Sequence, residues 1–536
     1  MATRHWVGSS NGVWNSAANW SATQGGAGGA GVPTTGDDVY ISKAIASNSY
    51  INVNQDIGSI NSLNFPDVGT AVRWILGGGS STLSLIHISE PTSVTIDCVS
   101  GQYATLNVPT VGGNFNKTGG GLLLRQATTT TYGATTIDLT AGWLGAASNT
   151  NSFGSGTITM SNGTALENSD TTTGWSWQNP ITVSGDIFLN RRVDATTQSF
   201  ATLTLTGSMA FGASTRTLTI GGTGAGASNA CNLNGALSGT AGFTKAGSGT
   251  LTIQGSGGLT SLSGTVTNSV GRTNIAYDAL TSSAAVFSQT GTTANTDFYY
   301  FVSVPSPANN FVLPSTMTFA GAGSVLFAAN NASITYPGVQ FASGALAGLT
   351  GTRVAGTTAG SWSAGLVVYL DSAAGYQTMI LSIKDFPTTL NSYGSTSTAG
   401  STLTSQIYYD STAASHTHAP TIYLSAIGTA ATTFNHSLYA NQATGALVLS
   451  GPVTGYVQTG SYVNGFVLRG PSTADNTYSG VISQSSGTVS IEKNDAGRWI
   501  LSGANSYTGA ITVTQGTLVA ALGGATTGAL GGSGAT

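Results

Sequence analysis

Charge, histidine and cysteine are all scarce in this sequence. Its 536 residues include 15 Lys and Arg, 19 Asp and Glu, 5 His and 2 Cys, so that 6% of the residues are charged, against about 25% in an ordinary globular protein. A net charge of −4 spread so thinly provides neither the basic surface that binds nucleic acid nor a polybasic patch for a membrane surface. We therefore expect no nucleic-acid partner.

Long uninterrupted apolar runs are also missing. The longest apolar stretch, 365–383, is interrupted by polar residues and predicts no membrane-spanning helix. No apolar run of signal-peptide length follows Met1, so we expect neither an export signal nor membrane insertion. Cys98 and Cys231 lie far apart and fit no C-x-x-C spacing, which predicts two buried thiols rather than a disulfide or a metal pair.

Glycine is abundant, with 75 residues, and it separates short segments that have the pattern of strands. Segments 201–206, 215–220, 249–253 and 511–514 alternate apolar residues with Thr, as strands with one buried face do. Gly, Asn and Ser punctuate these segments, while the helix formers Glu, Lys and Gln are scarce. The sequence thus predicts an all-β protein, in which 369–384 forms either a short helix or two strands.

One sequence pattern recurs along the chain. A Lys is followed by glycines and an apolar strand and then by a second strand segment: Lys117 precedes Tyr132, Lys245 precedes 262–266, and Lys493 precedes Tyr507. Such repeats indicate a solenoid with rungs of about 25 residues and parallel strands about 4.8 Å apart. About twenty rungs would form a rod on the order of 100 Å long. We expect glycines with positive φ at the turns between strands, at Gly480, Gly503, Gly509 and Gly516.

Residues 478–518 resemble the autotransporter-associated β-strand repeat. Its usual form is a Y-S-G-x-I turn, a K-x-G-x-G-x-L-x-L-S-G strand pair and then N-x-Y-x-G-x-T-x-V-x-x-G-x-L. The segment departs from this form at Asp495 and at 498–499, which predicts one altered turn. Residues 6–41 resemble the opening segment of such proteins. The resemblance implies a right-handed parallel β-helix and no chemistry. The positions that match are Lys493, Leu501, Ser502, Gly503, Asn505, Tyr507, Gly509, Val513, Gly516 and Leu518.

The sequence divides into four segments. Residues 1–45 form a Trp-rich cap or attachment segment, in which we expect Trp6, Trp14 and Trp20 to build a hydrophobic lid over the first rung. We assign 46–295 to β-helix, 296–430 to an irregular or inserted β-rich region, and 431–536 to C-terminal β-helix repeats.

The central segment, 296–430, is richer in aromatic residues and Pro than its flanks. One interpretation is a set of irregular rungs with long loops, and the other is an inserted module that serves recognition. Aromatic rings near Asn, Ser and Thr suit the binding of carbohydrate. The candidate glycan-binding residues are Tyr299, Tyr300, Trp362, Tyr369, Tyr376, Tyr408 and Tyr409.

We predict no catalytic residue, no cofactor and no metal. A glycan-cleaving enzyme would need paired carboxylates about 5–9.5 Å apart, and for the available acidic residues a turn or capping role is favoured. His416 and His418 lie on one strand face as a potential metal pair without an evident third ligand, and a solvated loop is the favoured interpretation. The acidic pairs considered are Asp37 with Asp38, Asp186 with Asp194, and Asp371 with Asp385.

Three functions are compatible with these features. The leading hypothesis is a non-enzymatic structural component of a bacteriophage particle, such as a tail fibre, spike or capsid-attached appendage, because β-helices without export signals resemble phage appendages. It implies a virion location, other virion proteins as partners, a homo-oligomer with a trimer favoured, and contact with a host surface glycan. The alternatives are an autotransporter-type secreted or surface adhesin passenger and a polysaccharide depolymerase.

Overall fold

The computed structural model contains two compact units, Met1–Gly264 and Thr265–Thr536, and each is described by itself. The residues that the structure describes are 2–44, 49–53, 60–66, 73–76, 86–87, 94–99, 103–106, 110–111, 114–125, 136–146, 153–170, 172–190, 200–221, 229–255, 258–259, 261–276, 279, 286–289, 297–302, 311–312, 319–321, 324–329, 339–349, 365–371, 378–396, 402–413, 416–428, 433–442, 444–457, 463–521 and 529–531.

The first unit consists of short strands and one turn of 3₁₀ helix, Ala17–Asn19. Its strands are β1 Thr3–Trp6, β2 Gly12–Val13, β3 Trp20–Ser21, β4 Asp38–Tyr40, β5 Ser49–Asn52, β6 Ser62–Phe65, β7 Arg73–Leu76, β8 Ile86–His87, β9 Val94–Cys98, β10 Tyr103–Leu106, β11 Thr110–Val111, β12 Phe115–Thr118, β13 Leu122–Arg125, β14 Ile137–Leu139, β15 Trp143–Ala146, β16 Ile158–Met160, β17 Ala165–Asn168, β18 Trp175–Trp177, β19 Ile181–Val183, β20 Ile187–Leu189, β21 Leu203–Leu205, β22 Met209–Ala210, β23 Arg216–Ile220, β24 Ala230–Leu233, β25 Leu237–Gly239, β26 Gly242–Ala246, β27 Thr250–Ile253 and β28 Ser261–Leu262.

These strands form three ladders in which each strand pairs with its counterpart from the next rung. The first has the order β28-β25-β22-β19-β16-β14-β12-β9-β6-β4-β1-β3, the second runs from β2 through β5, β7, β10, β13, β15, β17, β20 and β23 to β26, and the third is β18-β21-β24-β27. Strands β8 and β11 form a separate parallel pair. Along the described part of the first ladder, the pairing is parallel except between β1 and β3. Successive parallel strands stacked in this way define a parallel β-helix.

The core of the first unit is a stack of apolar residues aligned by the strand register. Ile137 pairs with Ile158, and Ile158 pairs with Ile181, so equivalent positions recur after 21 and 23 residues. All three side chains are buried. The residues between them on each strand point outward, as the alternation of apolar residues with Thr predicts. Repetition of one apolar position from rung to rung therefore builds a continuous interior.

Three tryptophans pack together at the first strands. The rings of Trp6 and Trp14 each meet Trp20 edge to face, with centroids 5.1 and 4.7 Å apart, and all three side chains are buried. The Trp20 Nε1 donates to the carbonyl of Trp14 at 2.7 Å. Strand β3 runs antiparallel beside β1, so it covers the strand edge that β1 would otherwise expose.

The second unit has longer strands. They are β29 Thr265–Asn268, β30 Arg272–Ala276, β31 Val286–Gln289, β32 Asp297–Val302, β33 Phe311–Val312, β34 Phe319–Gly321, β35 Ser324–Ala329, β36 Val339–Gln340, β37 Gly348–Leu349, β38 Gly365–Asp371, β39 Thr378–Ile383, β40 Thr389–Thr396, β41 Leu403–Tyr409, β42 Thr417–His418, β43 Thr421–Gly428, β44 Thr433–Ala440, β45 Val448–Leu449, β46 Val453–Val457, β47 Val463–Arg469, β48 Asn476–Tyr478, β49 Ile482–Gln484, β50 Thr488–Lys493, β51 Arg498–Leu501, β52 Ile511–Val513 and β53 Thr517–Ala520.

The second unit is also a parallel β-helix. Its ladders have the orders β29-β31-β34-β37, β30-β32-β35-β38-β40-β43-β46-β49, β33-β36-β39-β41-β44-β47-β50-β52 and β42-β45-β48-β51-β53. Within the segment 369–384, residues 369–371 belong to β38 and residues 378–383 to β39, so the described part forms strands and residues 372–377 lie outside the described residues. Described strands of the central segment pair in parallel with their neighbours in the unit, which agrees with irregular rungs. The four segment boundaries drawn from the sequence stay predictions.

The predicted fold class is confirmed by these ladders: the protein is all-β, built of stacked parallel strands. Cys98 and Cys231 are buried free thiols, as predicted. Within the described ranges, no helix is long and apolar enough to cross a bilayer.

Candidate functional site

Lys117 is the first of three buried lysines that close turns of the β-helix. Its side chain is fully buried at the end of β12. The ammonium donates to the carbonyls of Thr118 and Gly119 in the following turn, at 2.5 and 2.8 Å, and to that of Ala141 in the next rung, at 3.2 Å. An ammonium has three protons and no acceptor, so these three carbonyls satisfy the buried charge.

Lys493 repeats this arrangement in the second unit. Its Nζ donates to the carbonyls of Asn494 and Asp495, at 2.6 and 2.7 Å, and to that of Gln515 in the next rung, at 3.1 Å. The acceptors occupy the same positions relative to the lysine as those of Lys117: the next two residues and one residue a rung later. We call each such arrangement a lysine cap.

Lys245 is the third buried lysine, and it also donates to carbonyls of its own turn. Its Nζ donates to the carbonyls of Gly247 and Gly249 at 2.7 and 2.6 Å. Burial lowers the pKa of all three lysines, and that of Lys245 to about 7. Three of the five lysines of the chain thus serve turns rather than the surface, as the repeat pattern built on Lys117, Lys245 and Lys493 suggests.

Two positions after each of these three buried lysines, the turn contains a residue with left-handed backbone conformation. Gly119 has φ +68°, Gly247 +80° and Asp495 +62°. The prediction that Asp495 alters its turn is therefore wrong, because Asp adopts this conformation more readily than most other non-glycine residues. Although burial raises the pKa of Asp495, hydrogen bonds from Arg469 at 2.9 Å and from the Gly470 N–H at 3.1 Å hold it below its usual range.

The four turn glycines named from the sequence serve two different purposes. Gly516 has φ +80°, as predicted, and a Cβ there would lie 2.3 Å from the Asp495 carbonyl oxygen. The prediction of positive φ is wrong for the other three glycines. These positions require glycine because the backbone of another rung approaches closely. Their Cβ atoms would lie 1.9 to 2.2 Å from carbonyl oxygens of the preceding rung, at Gly480, Gly503 and Gly509.

Asn505 links neighbouring rungs by hydrogen bonds, and the nearby Tyr507 packs in the interior. The Tyr507 ring is fully buried. The Asn505 side chain accepts from the Ile482 N–H at 2.7 Å and donates to the Ala529 carbonyl at 2.6 Å. Tyr132, the other repeat tyrosine, lies outside the described residues.

The acidic residues considered for catalysis serve as acceptors for turns and neighbouring rungs. Asp37 accepts from the N–H groups of residue 2 and residue 34, at 2.8 and 3.0 Å, and Asp38 accepts from the hydroxyl of residue 62 at 2.6 Å. Asp186 accepts from the N–H of residue 217 at 2.8 Å, and Asp385 from that of residue 344 at 2.6 Å. Asp194 and the side chain of Asp371 lie outside the described residues.

Two of the seven candidate glycan-binding side chains are described. Tyr408 is half-buried and stacks on Tyr439 with centroids 3.8 Å apart, and Arg469 lies over the Tyr439 ring at 4.8 Å. Tyr409 points to the interior and is 0% exposed, so its assignment to a surface glycan site is corrected: neighbouring residues of a strand face opposite sides. Outside the description lie Trp362, Tyr376 and the side chains of Tyr299, Tyr300 and Tyr369.

His416 and His418 converge on Tyr409. The Tyr409 hydroxyl lies 3.1 Å from His416 Nδ1 and 2.9 Å from His418 Nε2, and His416 Nε2 lies 2.8 Å from the carbonyl oxygen of Thr444. His416 is 3% exposed, so the solvated-loop interpretation is wrong for this residue. Among the described residues, no three His, Cys, Asp or Glu side chains are placed to hold a metal; Tyr409 supplies a donor of another type.

A second polar cluster lies inside the second unit, and no sequence pattern announced it. His436 Nδ1 lies 2.6 Å from Ser392 Oγ and 3.4 Å from Ser405 Oγ, and its Nε2 lies 3.4 Å from Asn464 Oδ1. Burial lowers the pKa of His436 to about 4, against a smaller rise from Asn464. The imidazole is therefore neutral at neutral pH.

In a comparison with known protein families, residues 491–520 match the passenger-associated-transport-repeat. No curated protein and no solved structure matches the chain. The matched residues contain Lys493, Asp495, Gln515 and Gly516, which together make up one complete lysine cap. This part of the second unit is therefore similar to a passenger-associated-transport-repeat.

Proposed function

We propose that the chain is a non-enzymatic passenger-type domain of an autotransporter system, a β-helical scaffold that supports adhesion at the cell surface. One observation supports this function above the others. The lysine cap of the matched repeat, with its left-handed residue and its bond to the next rung, recurs at Lys117 in the first unit. The same rung design therefore extends far beyond residues 491–520.

The family match favours this function over the virion appendage that the sequence analysis placed first. Phage attachment draws no support from the match, whereas a passenger-associated repeat fits a secreted or surface protein. The described acidic residues support a non-enzymatic role, because Asp37, Asp38, Asp186 and Asp385 accept hydrogen bonds within turns and between rungs. Contact with a surface glycan remains part of the proposal, with Tyr408 as the half-buried candidate.

Surface labelling of the cells that encode the protein tests the proposal. Antibodies raised against the full chain are applied to intact and to permeabilised cells, with a cytosolic protein as the control, and intact cells are treated with an external protease. We expect intact cells to bind the antibody and to lose it after protease treatment. Labelling that requires permeabilisation, or chain that sediments only with virus particles, would contradict the proposal.

Sedimentation of the purified full chain measures its oligomeric state and tests separately whether it forms a homo-oligomer. The virion hypothesis predicts a trimer, because phage appendages are commonly symmetric assemblies. A passenger-type scaffold does not require a second copy, and we expect a monomer.

A further inference from the structure

We infer that Tyr409, His416 and His418 form a binding site for a divalent transition-metal ion of the Zn²⁺ class. Tyr409 is the last residue of β41, and His418 is the last residue of β42. His416 lies just before β42, two residues from His418, so both imidazoles fall on one side of an extended segment. The proposal goes beyond the adhesive function and does not depend on it.

Tyr409 Oη lies within the donor–donor spacing of a small metal site from each of the two imidazole nitrogens. Tyr409 Oη is 3.1 Å from His416 Nδ1 and 2.9 Å from His418 Nε2. In a tetrahedral zinc site with bonds of about 2.0–2.2 Å, neighbouring ligand atoms lie about 3.4 Å apart. On the two distances from Tyr409 Oη, the hydrogen-bonded cluster is close to the spacing of a coordination sphere.

The partner of His416 Nε2 fixes the imidazole in the form that binds metal. A backbone carbonyl only accepts, so Nε2, 2.8 Å from the Thr444 oxygen, must bear the proton. In the tautomer with the proton on Nε2, His416 presents the lone pair of Nδ1 toward Tyr409. Metal-bound histidines typically donate their other N–H to a carbonyl or carboxylate in this way.

The same reasoning assigns the protons of the metal-free cluster. The Tyr409 O–H donates to His416 Nδ1, and the Tyr409 oxygen accepts from His418 Nε2–H. Metal binding moves the His418 proton from Nε2 to Nδ1 through solvent, and Tyr409 releases its proton to solvent as the phenolate binds. One proton is therefore released for each metal ion bound.

The surroundings favour a bound cation. The nearby Asp385 carboxylate is held by the Gly344 N–H at 2.6 Å and supplies negative charge beside the site. Phe386 packs against Tyr409 and His418 with ring centroids 5.5 and 5.3 Å away, which restricts both rings. His418 is half-buried, so the fourth coordination position is available to water.

Titration of the purified, chelator-treated full chain with Co²⁺ alone tests the site. We expect about one equivalent of Co²⁺ to bind with the visible absorption of tetrahedral cobalt, to release about one proton, and to be displaced by Zn²⁺. Tyr409→Phe and His418→Gln should each weaken binding at least about 100-fold. His5→Gln, which changes a histidine outside the cluster, should leave binding unchanged.

Thermal unfolding separates a metal site from a purely structural hydrogen-bond cluster. Zn²⁺ should raise the unfolding temperature of the wild type and not that of Tyr409→Phe, a variant that keeps the buried ring. Circular dichroism confirms that each variant is folded. Absence of Co²⁺ binding by the wild type would overturn the proposal, as would equal binding by the folded Tyr409→Phe and His418→Gln variants.

Discussion

Lys493 and Gln515 lie one rung apart, and the buried ammonium of Lys493 donates to the Gln515 carbonyl at 3.1 Å. Lys117 makes the same bond to Ala141 in the first unit. The bond joins the turn that follows one strand to the turn that follows the strand stacked on it. A buried charge thus acts here as a link between rungs.

Replacing Lys493 by Met should destabilise the second unit. The substitution keeps most of the apolar stem but leaves three carbonyl oxygens, those of Asn494, Asp495 and Gln515, without their donor. Loss of hydrogen bonds from a charged donor costs about 3 kcal/mol in the free energy of unfolding. Chemical denaturation measures the change.

Lys43→Met is the matched control for that substitution. Lys43 also donates to two carbonyls, those of Val7 and Gly8, at 2.9 Å, but it is exposed, so water replaces the lost donor. We expect a change below about 1 kcal/mol. Equal effects of the two substitutions would show that burial of the lysine cap is unimportant.

Gly142→Ala should cost more than Gly163→Ala in the same unit. Both glycines have positive φ, +73° and +77°, so both substitutions incur the left-handed penalty of about 1–2 kcal/mol. A Cβ at Gly142 would also lie 2.4 Å from the carbonyl oxygens of Gly119 and Gly121, whereas nothing lies within 4 Å at Gly163. We expect Gly142→Ala to cost at least about 3 kcal/mol, measured by urea denaturation. Equal costs would contradict the packing of the lysine cap.

Stability should fall on acidification because of His436. Its folded pKa is about 4, below the ordinary 6.5, so between these values the unfolded chain binds the proton and the folded chain does not. The free energy of unfolding therefore rises with pH through this window. The contribution of neutral His436 to stability is lost as the pH falls through it. The contribution lost between about pH 7 and pH 5 is about 2 kcal/mol.

A pair of variants isolates the His436 contribution. His436→Gln should remove this part of the pH dependence in urea denaturation. Ser405→Ala takes away one neighbour of the same imidazole but leaves the titrating group, so the dependence should persist. An unchanged slope in His436→Gln would exclude His436 as its source.

Neither thiol should react in the folded protein. Cys98 and Cys231 are fully buried, and burial raises the pKa of Cys98 to about 12 and that of Cys231 well above its ordinary value. Because the thiolate is the reactive form, a thiol reagent such as Ellman's should label no cysteine under native conditions and two in denaturant. Native labelling, or fewer than two thiols after unfolding, would contradict the structure.

The parts of the fold that depend on local pattern could be predicted from the sequence. Alternation of apolar residues with Thr specifies which face of a strand is buried, and the repeated Lys marks a turn closed by a buried ammonium in three rungs. The glycine roles were predicted less well, since close approach at Gly480 or Gly503 depends on backbone of another rung. Sequence spacing alone does not distinguish that need from positive φ.

The contact of Tyr409 with His416 and His418 could not be predicted from the sequence. His416 and His418 are two residues apart in the chain, and this spacing predicts a pair on one strand face. Tyr409, at the end of β41, joins them through its hydroxyl contacts to both imidazoles, and no periodic pattern in the sequence encodes that approach. Its position on an inward-facing side of β41 also removed it from the surface set to which its aromatic character had assigned it.

The lysine caps also bear on how the protein folds. A rung that has formed alone offers Lys117 the carbonyls of its own turn, but the third acceptor, at Ala141, is in place only when the following rung has formed. Each cap therefore makes the free energy of one rung conditional on its successor, which is the nearest-neighbour coupling of a one-dimensional cooperative array. In such an array a completed rung acts as the template on which the next one grows.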